Sequence, residues 1–215
     1  MSDLSAFQHP RFARMYERIS AESERRGTAK HRDRALAGLS GRVVEIGAGN
    51  GMNFSHYPDT VREVVAVEPE DRLRALAEQA AERAPVSVRV VAGHADAVPA
   101  EDASFDAAVV SLVLCSVPDV ARALAEVRRV LRSEGDLRFF EHVRSGKPWL
   151  SLMQRALSPL WSRIGGGCRL DRDIATAIQT AGFQIELLDR FSYSPLRFFP
   201  RQQHILGRAR TPSRD

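Results

Sequence analysis

A nine-residue stretch, Val43-Val44-Glu45-Ile46-Gly47-Ala48-Gly49-Asn50-Gly51, constrains the fold of this chain more than any other. A β-branched run carries an acid near its end and passes into glycines at alternate positions. That pattern reads as a strand ending in a loop almost bare of side chains, where a large ligand comes close to the backbone. From there onward, strand-like and helix-like segments alternate.

The spacing predicts strands at Arg42–Ile46, Glu63–Glu68, Val86–Ala92, Phe105–Leu112 and Asp136–Val143. The Phe105–Leu112 run is apolar on both faces, as a central parallel strand must be. A short helix is expected near Asn53–His56, and a longer one from Pro69, a natural first-turn residue, to about Arg83. Pro118 opens a third, with Val120, Leu124, Val127 and Leu131 on one face and Gly135 closing it. Residues 149–164 read as helical despite Pro159 and end at Gly165-Gly166-Gly167. A further helix covers about Asp171–Ala181, and Phe183–Asp189 and Gln203–Arg208 read as the last strands. The class is therefore α/β: an open sheet of about seven mostly parallel strands with helices on both faces.

Ahead of the sheet, Phe12, Met15, Tyr16 and Ile19 share one helical face within the charged segment 3–34. The expected organisation is an N-terminal helical extension or lid over residues 1–40 and a ligand-binding domain over residues 41–215. No apolar run approaches the ~18–20 residues that cross a bilayer, and Met1–Pro10 is polar, so a cytoplasmic protein is expected. The charge of +4 rests almost wholly on arginine: lysine occurs only at Lys30 and Lys147, leaving 29 of 31 bases as arginine. Acids are interspersed with these bases, unlike a nucleic-acid-binding face. Cys115 and Cys168 are far apart, and His9, His31, His56, His94, His142 and His204 are dispersed. Neither a metal constellation nor a disulfide is expected from such spacing.

Two common nucleotide loops fail on inspection. A G-x-G-x-x-G fingerprint needs glycine where Met52 stands, and no Gly-Lys-Ser/Thr ending follows as in a P-loop. The pattern E-x-G-x-G-x-G suits an amino acid and a ribose instead. The backbone of Gly47, Ala48, Gly49 and Gly51 can approach them, and the Glu45 carboxylate is available to an ammonium group, directly or through water. Glu68, about 20 residues beyond the glycines, is placed to accept both ribose hydroxyls and would repel a 2′-phosphate. The Ala92–Pro99 loop suits an adenine edge.

These parts together resemble the class I S-adenosylmethionine-dependent methyltransferases over about Gly41 to Gly182. Ser104-Phe105-Asp106-Ala107 adds to the likeness. So does Arg129-Val130-Leu131-Arg132-Ser133-Glu134-Gly135-Asp136-Leu137, which is similar to the family's R-V-L-x-P-G-G-x-L with Ser133 and Glu134 replacing proline and glycine. The resemblance implies a Rossmann-like sheet and S-adenosyl-L-methionine as cofactor. It implies cofactor contacts from Glu45, Gly47, Ala48, Gly49, Gly51, Asn53, Glu68, Pro69, His94, Ala95, Asp96, Ser111 and Leu112, with His94 standing where the family often has aspartate.

Ser111–Val117, Glu141-His142-Val143 and Gly166–Arg172 are similar to the thiol S-methyltransferase (methyltransferase-like seven) branch. The charged segment 3–34 stands where animal members of that branch carry an apolar anchor. Tyr16, Cys115 and His142 are expected in the acceptor pocket, with His142 taking a proton and Glu141 facing the other way along the strand. Trp149, Trp161, Phe191, Tyr193, Phe198 and Phe199 are expected as apolar walls and core. Nucleic-acid methyltransferases more often carry Asn-Pro-Pro-aromatic where this chain has Leu114-Cys115-Ser116-Val117, so no nucleic-acid partner is expected. The implied function is methyl transfer to a small hydrophobic acceptor, a thiol among the candidates. Phospholipid or quinone head-group methylation and a non-catalytic binding module are the alternatives. Membrane contact is compatible with this reading and not required by it; the oligomeric state stays open.

Overall fold

The computed structural model of the chain describes residues 3–195, 197 and 200–213. The elements are α1 (Pro10–Ser23), α2 (Ala29–Leu36), β1 (Gly41–Ile46), β2 (Val61–Val67), α3 (Asp71–Ala81), β3 (Val88–Val91) and β4 (Phe105–Ser111). They continue with α4 (Val120–Val130), β5 (Leu131–His142), α5 (Pro148–Ile164), α6 (Ile174–Thr180), β6 (Gln184–Tyr193) and β7 (Gln202–Arg210). The strands form one seven-stranded sheet in the order β3-β2-β1-β4-β5-β7-β6. β7 alone runs against its neighbours, pairing antiparallel with β5 and β6.

Period-two alternation divides the core between the two faces of the sheet. Val44, Ile46, Val65, Val67, Ala108 and Val110 pack on one side with Leu124 and Val127 of α4 and Ile174 and Ile178 of α6. Val43, Val64, Ala66, Ala107 and Val109 pack on the other with Leu36 at the end of α2 and Ala77 of α3. The strand order reverses between β1 and β4, and a crevice opens there beyond the carboxyl ends of the strands. The glycine stretch emerges into that crevice.

Several boundaries differ from the sequence expectation for identifiable reasons. Pro69 lies before α3, because the Glu70 carboxylate accepts from Leu73 N at 2.7 Å and caps the helix ahead of Asp71. Asp119 caps α4 in the same way, accepting from Ala121 N and Arg122 N, so Pro118 stays outside. Gly135 does not close α4. The chain becomes extended at Leu131, and a bulge with Glu134 at φ 56° shifts the β4–β5 register before Asp136. Pro159 sits inside an unbroken α5. That helix exposes Trp149, Leu152, Leu157 and Leu160, so Trp149 is no part of the core. Phe198 and Phe199 lie outside the described residues. No helix among the described residues is long and apolar enough to cross a membrane.

Phe139 of β5 is fully buried in the core beneath α4 and α6. Phe139→Ala is expected to cost about 3–5 kcal/mol of stability. Urea unfolding with an unchanged slope would read this directly.

Candidate active site

The crevice holds a cavity of about 550 Å³ whose walls come from the ends of four successive strands. Gly47 and Gly49 follow β1, Glu68 and Pro69 follow β2, His94, Ala95 and Asp96 follow β3, and Ser111 and Leu112 follow β4; all of these line it. Gly47 and Gly49 take positive φ values of 66° and 58°. A Cβ on Gly49 would sit 3.2 Å from the Tyr16 ring, and one on Gly47 2.6 Å from Val113. The backbone is thus bare where these two helix- and loop-borne side chains close in.

Glu68 is buried and accepts from Gly49 N at 2.7 Å and Glu70 N at 3.0 Å, bridging the first two strand ends. Burial pushes its carboxyl up from 4.5 to about 7. His94 Nδ1 and Asp96 Oδ1 are buried with no hydrogen-bond partner among the described residues. Phe7 stacks on the His94 ring at 4.7 Å.

Four residues expected at the ligand do not line this cavity. Glu45 is buried in the interior, where Asn53 Nδ2 donates to it at 2.8 Å and the Tyr57 hydroxyl at 2.7 Å. It therefore holds the loop from behind, and burial pushes its carboxyl up. Asn53 links it to Arg32, whose Nη1 donates to Asn53 Oδ1 at 2.6 Å while its Nε donates to Glu24 at 2.6 Å. Gly51 is required by packing: its Cβ would lie 2.8 Å from Ala80 and from Phe54. Ala48 is buried with the core on the α3 side of the sheet, its N–H on Val67 O.

The N-terminal segment is tied across the crevice by contacts that sequence spacing did not reveal. Asn50 Nδ2 donates to Ser20 Oγ at 2.9 Å, Gln8 Nε2 to Pro69 O at 2.8 Å, and Asp71 N to Gln8 Oε1 at 3.1 Å. α1 consequently roofs two cavities at once. The second, of about 380 Å³, shares Phe12, Tyr16, Leu112 and Ser116 with the first and continues past Met15, Ile19, Phe140 and Tyr193. Cys115, His142, Cys168 and Trp161 also line it.

The floor between the cavities is set by Glu141. Its carboxylate accepts from three successive amides, Val113 N and Leu114 N at 2.9 Å and Cys115 N at 3.2 Å. Leu112 turns the chain there at φ 61°. Glu141 faces this loop and lines neither cavity, whereas His142, the next residue on β5, faces the second cavity, as alternation requires. His142 Nδ1 lies 3.7 Å from Cys115 Sγ and 3.8 Å from Cys168 Sγ, and the two sulfurs are 3.6 Å apart. The fold thus assembles a cluster of metal-ligand type from residues whose sequence spacing gave no hint of one. The contact with Cys168, followed by burial, pushes the Cys115 thiol up, and its partner Cys168 is held down. Burial opposes charge on His142, but Cys168 beside it turns the net shift upward. Burial drives the neighbouring His204, ring to ring at 4.5 Å, down to about 3 and keeps it neutral.

Residues 44–139 match the methyltransferase domain family. The human thiol S-methyltransferase TMT1B is 35% identical over 202 residues, spanning 89% of this chain and 82% of that protein. Human thiol S-methyltransferase TMT1A is 35% identical over 81% of this chain and 73% of its own length. Among solved structures, an S-adenosylmethionine-dependent methyltransferase of Thermotoga maritima superposes with a TM-score of 0.69 at 23% identity, covering 93% and 96% of the two chains.

A pH titration tests the placement of Glu68. Between 4.5 and about 7 the folded chain keeps a proton that the unfolded chain has released, so this group's contribution to stability falls as pH rises. The stability difference between Glu68→Gln and wild type is expected to move in the variant's favour across that window. A difference that stays flat in urea midpoints would contradict the buried acid.

Proposed function

The chain belongs to the class I S-adenosylmethionine-dependent methyltransferases, and from that premise we propose that it methylates the sulfur of small apolar thiols. S-Adenosylmethionine is its cofactor and supplies a methyl group carried on a sulfonium. The first cavity suits that molecule. Two glycines leave the backbone accessible, Glu68 offers a carboxylate for ribose hydroxyls, and His94 Nδ1 and Asp96 Oδ1 are buried polar atoms still able to meet an adenine edge. On this reading Gly47, Gly49, Glu68, Pro69, His94, Ala95, Asp96, Ser111 and Leu112 hold the cofactor. Glu45, Ala48, Gly51 and Asn53 shape the loop from outside the cavity.

The observation that carries the thiol reading is the second cavity. Its walls are mainly apolar, Arg32 but no acid is among the described residues that line it, and it contains two cysteine sulfurs and the imidazoles of His142 and His204. An ammonium-bearing acceptor would find no carboxylate to neutralise it, whereas an apolar thiol buries its chain and needs only to lose one proton. The two named human relatives are thiol S-methyltransferases, which supports the same choice. His142 takes the proton, and the acceptor sulfur attacks the methyl carbon along the line of the breaking carbon–sulfur bond. The electrons of that bond pass to the departing sulfur. Two adjoining cavities that fix both reactants supply the alignment on which such a displacement depends.

Transfer of labelled methyl onto alkyl thiols, phenols, quinols and phosphatidylethanolamine separates the readings. Thiols are expected to be labelled; label on quinols or lipid with none on thiols would overturn the proposal. Glu68→Ala is expected to weaken cofactor binding in calorimetry by about tenfold or more, the scale of losing hydrogen bonds to a charged group. Unchanged affinity would remove Glu68 from the ribose.

A further inference from the structure

We propose that Cys115, His142 and Cys168 bind a zinc ion whose fourth position opens to the second cavity and takes the acceptor thiol as thiolate. The inference rests on the thiol reading for its substrate, and on geometry alone for the metal. Zinc bonds of about 2.3 Å to sulfur and about 2.0–2.1 Å to nitrogen, at tetrahedral angles, put two sulfurs about 3.8 Å apart and each sulfur about 3.6 Å from the nitrogen. The observed separations are 3.6 Å between sulfurs and 3.7 and 3.8 Å to His142 Nδ1.

Each ligand comes from a different element of the fold. Cys115 stands on the loop gripped by Glu141, and His142 ends β5. Cys168 follows the Gly165–Gly167 turn, where Gly167 takes φ 89° and any Cβ would meet Ser116 O at 2.8 Å. Arg169 N donates to Cys115 O at 2.8 Å, locking the two cysteine-bearing loops together. Gln202 and Trp161 line the same cavity as His142 and Cys168.

Among the described residues no fourth His, Cys, Asp or Glu joins the three, and the cluster faces the apolar cavity. Three protein ligands with an open position are the catalytic pattern, while structural zinc sites are closed by four. A free alkyl thiol, a weaker acid than cysteine at about 8.5, is mostly protonated at neutral pH, and coordination removes its proton outright. Coordination then replaces proton abstraction by His142. The thiol's proton leaves to water, and the sulfur keeps the pair that forms the new carbon–sulfur bond. The donor's carbon–sulfur bond breaks onto the departing sulfur. The thioether product, a weaker ligand, leaves the ion. Zinc with three thiolates and a neutral imidazole carries one net negative charge, which attracts a sulfonium in the adjoining cavity.

The test uses the full chain, reduced with a phosphine, equilibrated with zinc and dialysed into metal-free buffer. Elemental analysis is expected to find stoichiometric zinc, lost in Cys168→Ser and Cys115→Ala, while both variants still bind S-adenosylhomocysteine in calorimetry. Loaded with cobalt(II), the wild-type protein is expected to show sulfur-to-cobalt charge transfer and tetrahedral visible bands that shift when an alkyl thiol is added. If the cysteine variants do not fold, the wild-type cobalt spectrum decides alone. Fully reduced protein that retains no metal and gives no such spectrum overturns the site. Thiol methylation at full rate by metal-free protein also overturns it and leaves the thiol reading standing. Metal binding without methylation of any thiol retains the ion site and overturns the thiol reading.

Discussion

The open face of the sheet depends on one buried carboxylate. Glu141 accepts three consecutive backbone N–H groups, from Val113 to Cys115, just past the point where left-handed Leu112 turns the chain out of β4. Burying an acid is costly, and burial pushes this carboxyl up to about 7. Three amides aimed at it offset part of that cost and would themselves be stranded without it. The same grip fixes the wall between the two cavities. Because neighbours on a strand point to opposite faces, anchoring Glu141 on the loop also commits His142 to the cavity side.

A second buried network does for the glycine loop what Glu141 does for the loop after β4. Glu24, Arg32, Asn53, Glu45 and Tyr57 form a continuous chain of hydrogen bonds from the N-terminal helices into the sheet. In the interior each charge needs a partner, so Glu45 and Arg32 share Asn53 as an uncharged link between them. The acid before the glycines is thus a brace for the loop.

The architecture was legible in the sequence because period-two and period-3.6 patterns are local. Val43–Ile46, Phe105–Ser111 and the apolar stripe of α4 each announce their element within a dozen residues. The cavity beyond the strand ends was legible for a related reason: Glu68, His94 and Asp96 follow strands directly and line it. What escaped was set by contacts distant along the chain. Glu45 reads as a ligand group until Asn53 and Tyr57 are seen behind it. Cys115, His142 and Cys168 stand on three elements, so no spacing rule could join them. Pro69 and Gly135 carry helix-boundary signals that Glu70 and the bulge at Glu134 override. Trp149 belongs to a helix whose apolar residues face outward, which composition cannot distinguish from a buried one.

The roof formed by α1 couples the two cavities mechanically. Phe12 and Tyr16 bound both cavities, and the helix that carries them is bonded through Ser20 to Asn50 on the glycine loop, with Gln8 beyond its start bonded to Pro69. One helix is therefore a wall of each cavity. A change that shifts α1 reshapes both and strains hydrogen bonds at the ends of β1 and β2 together.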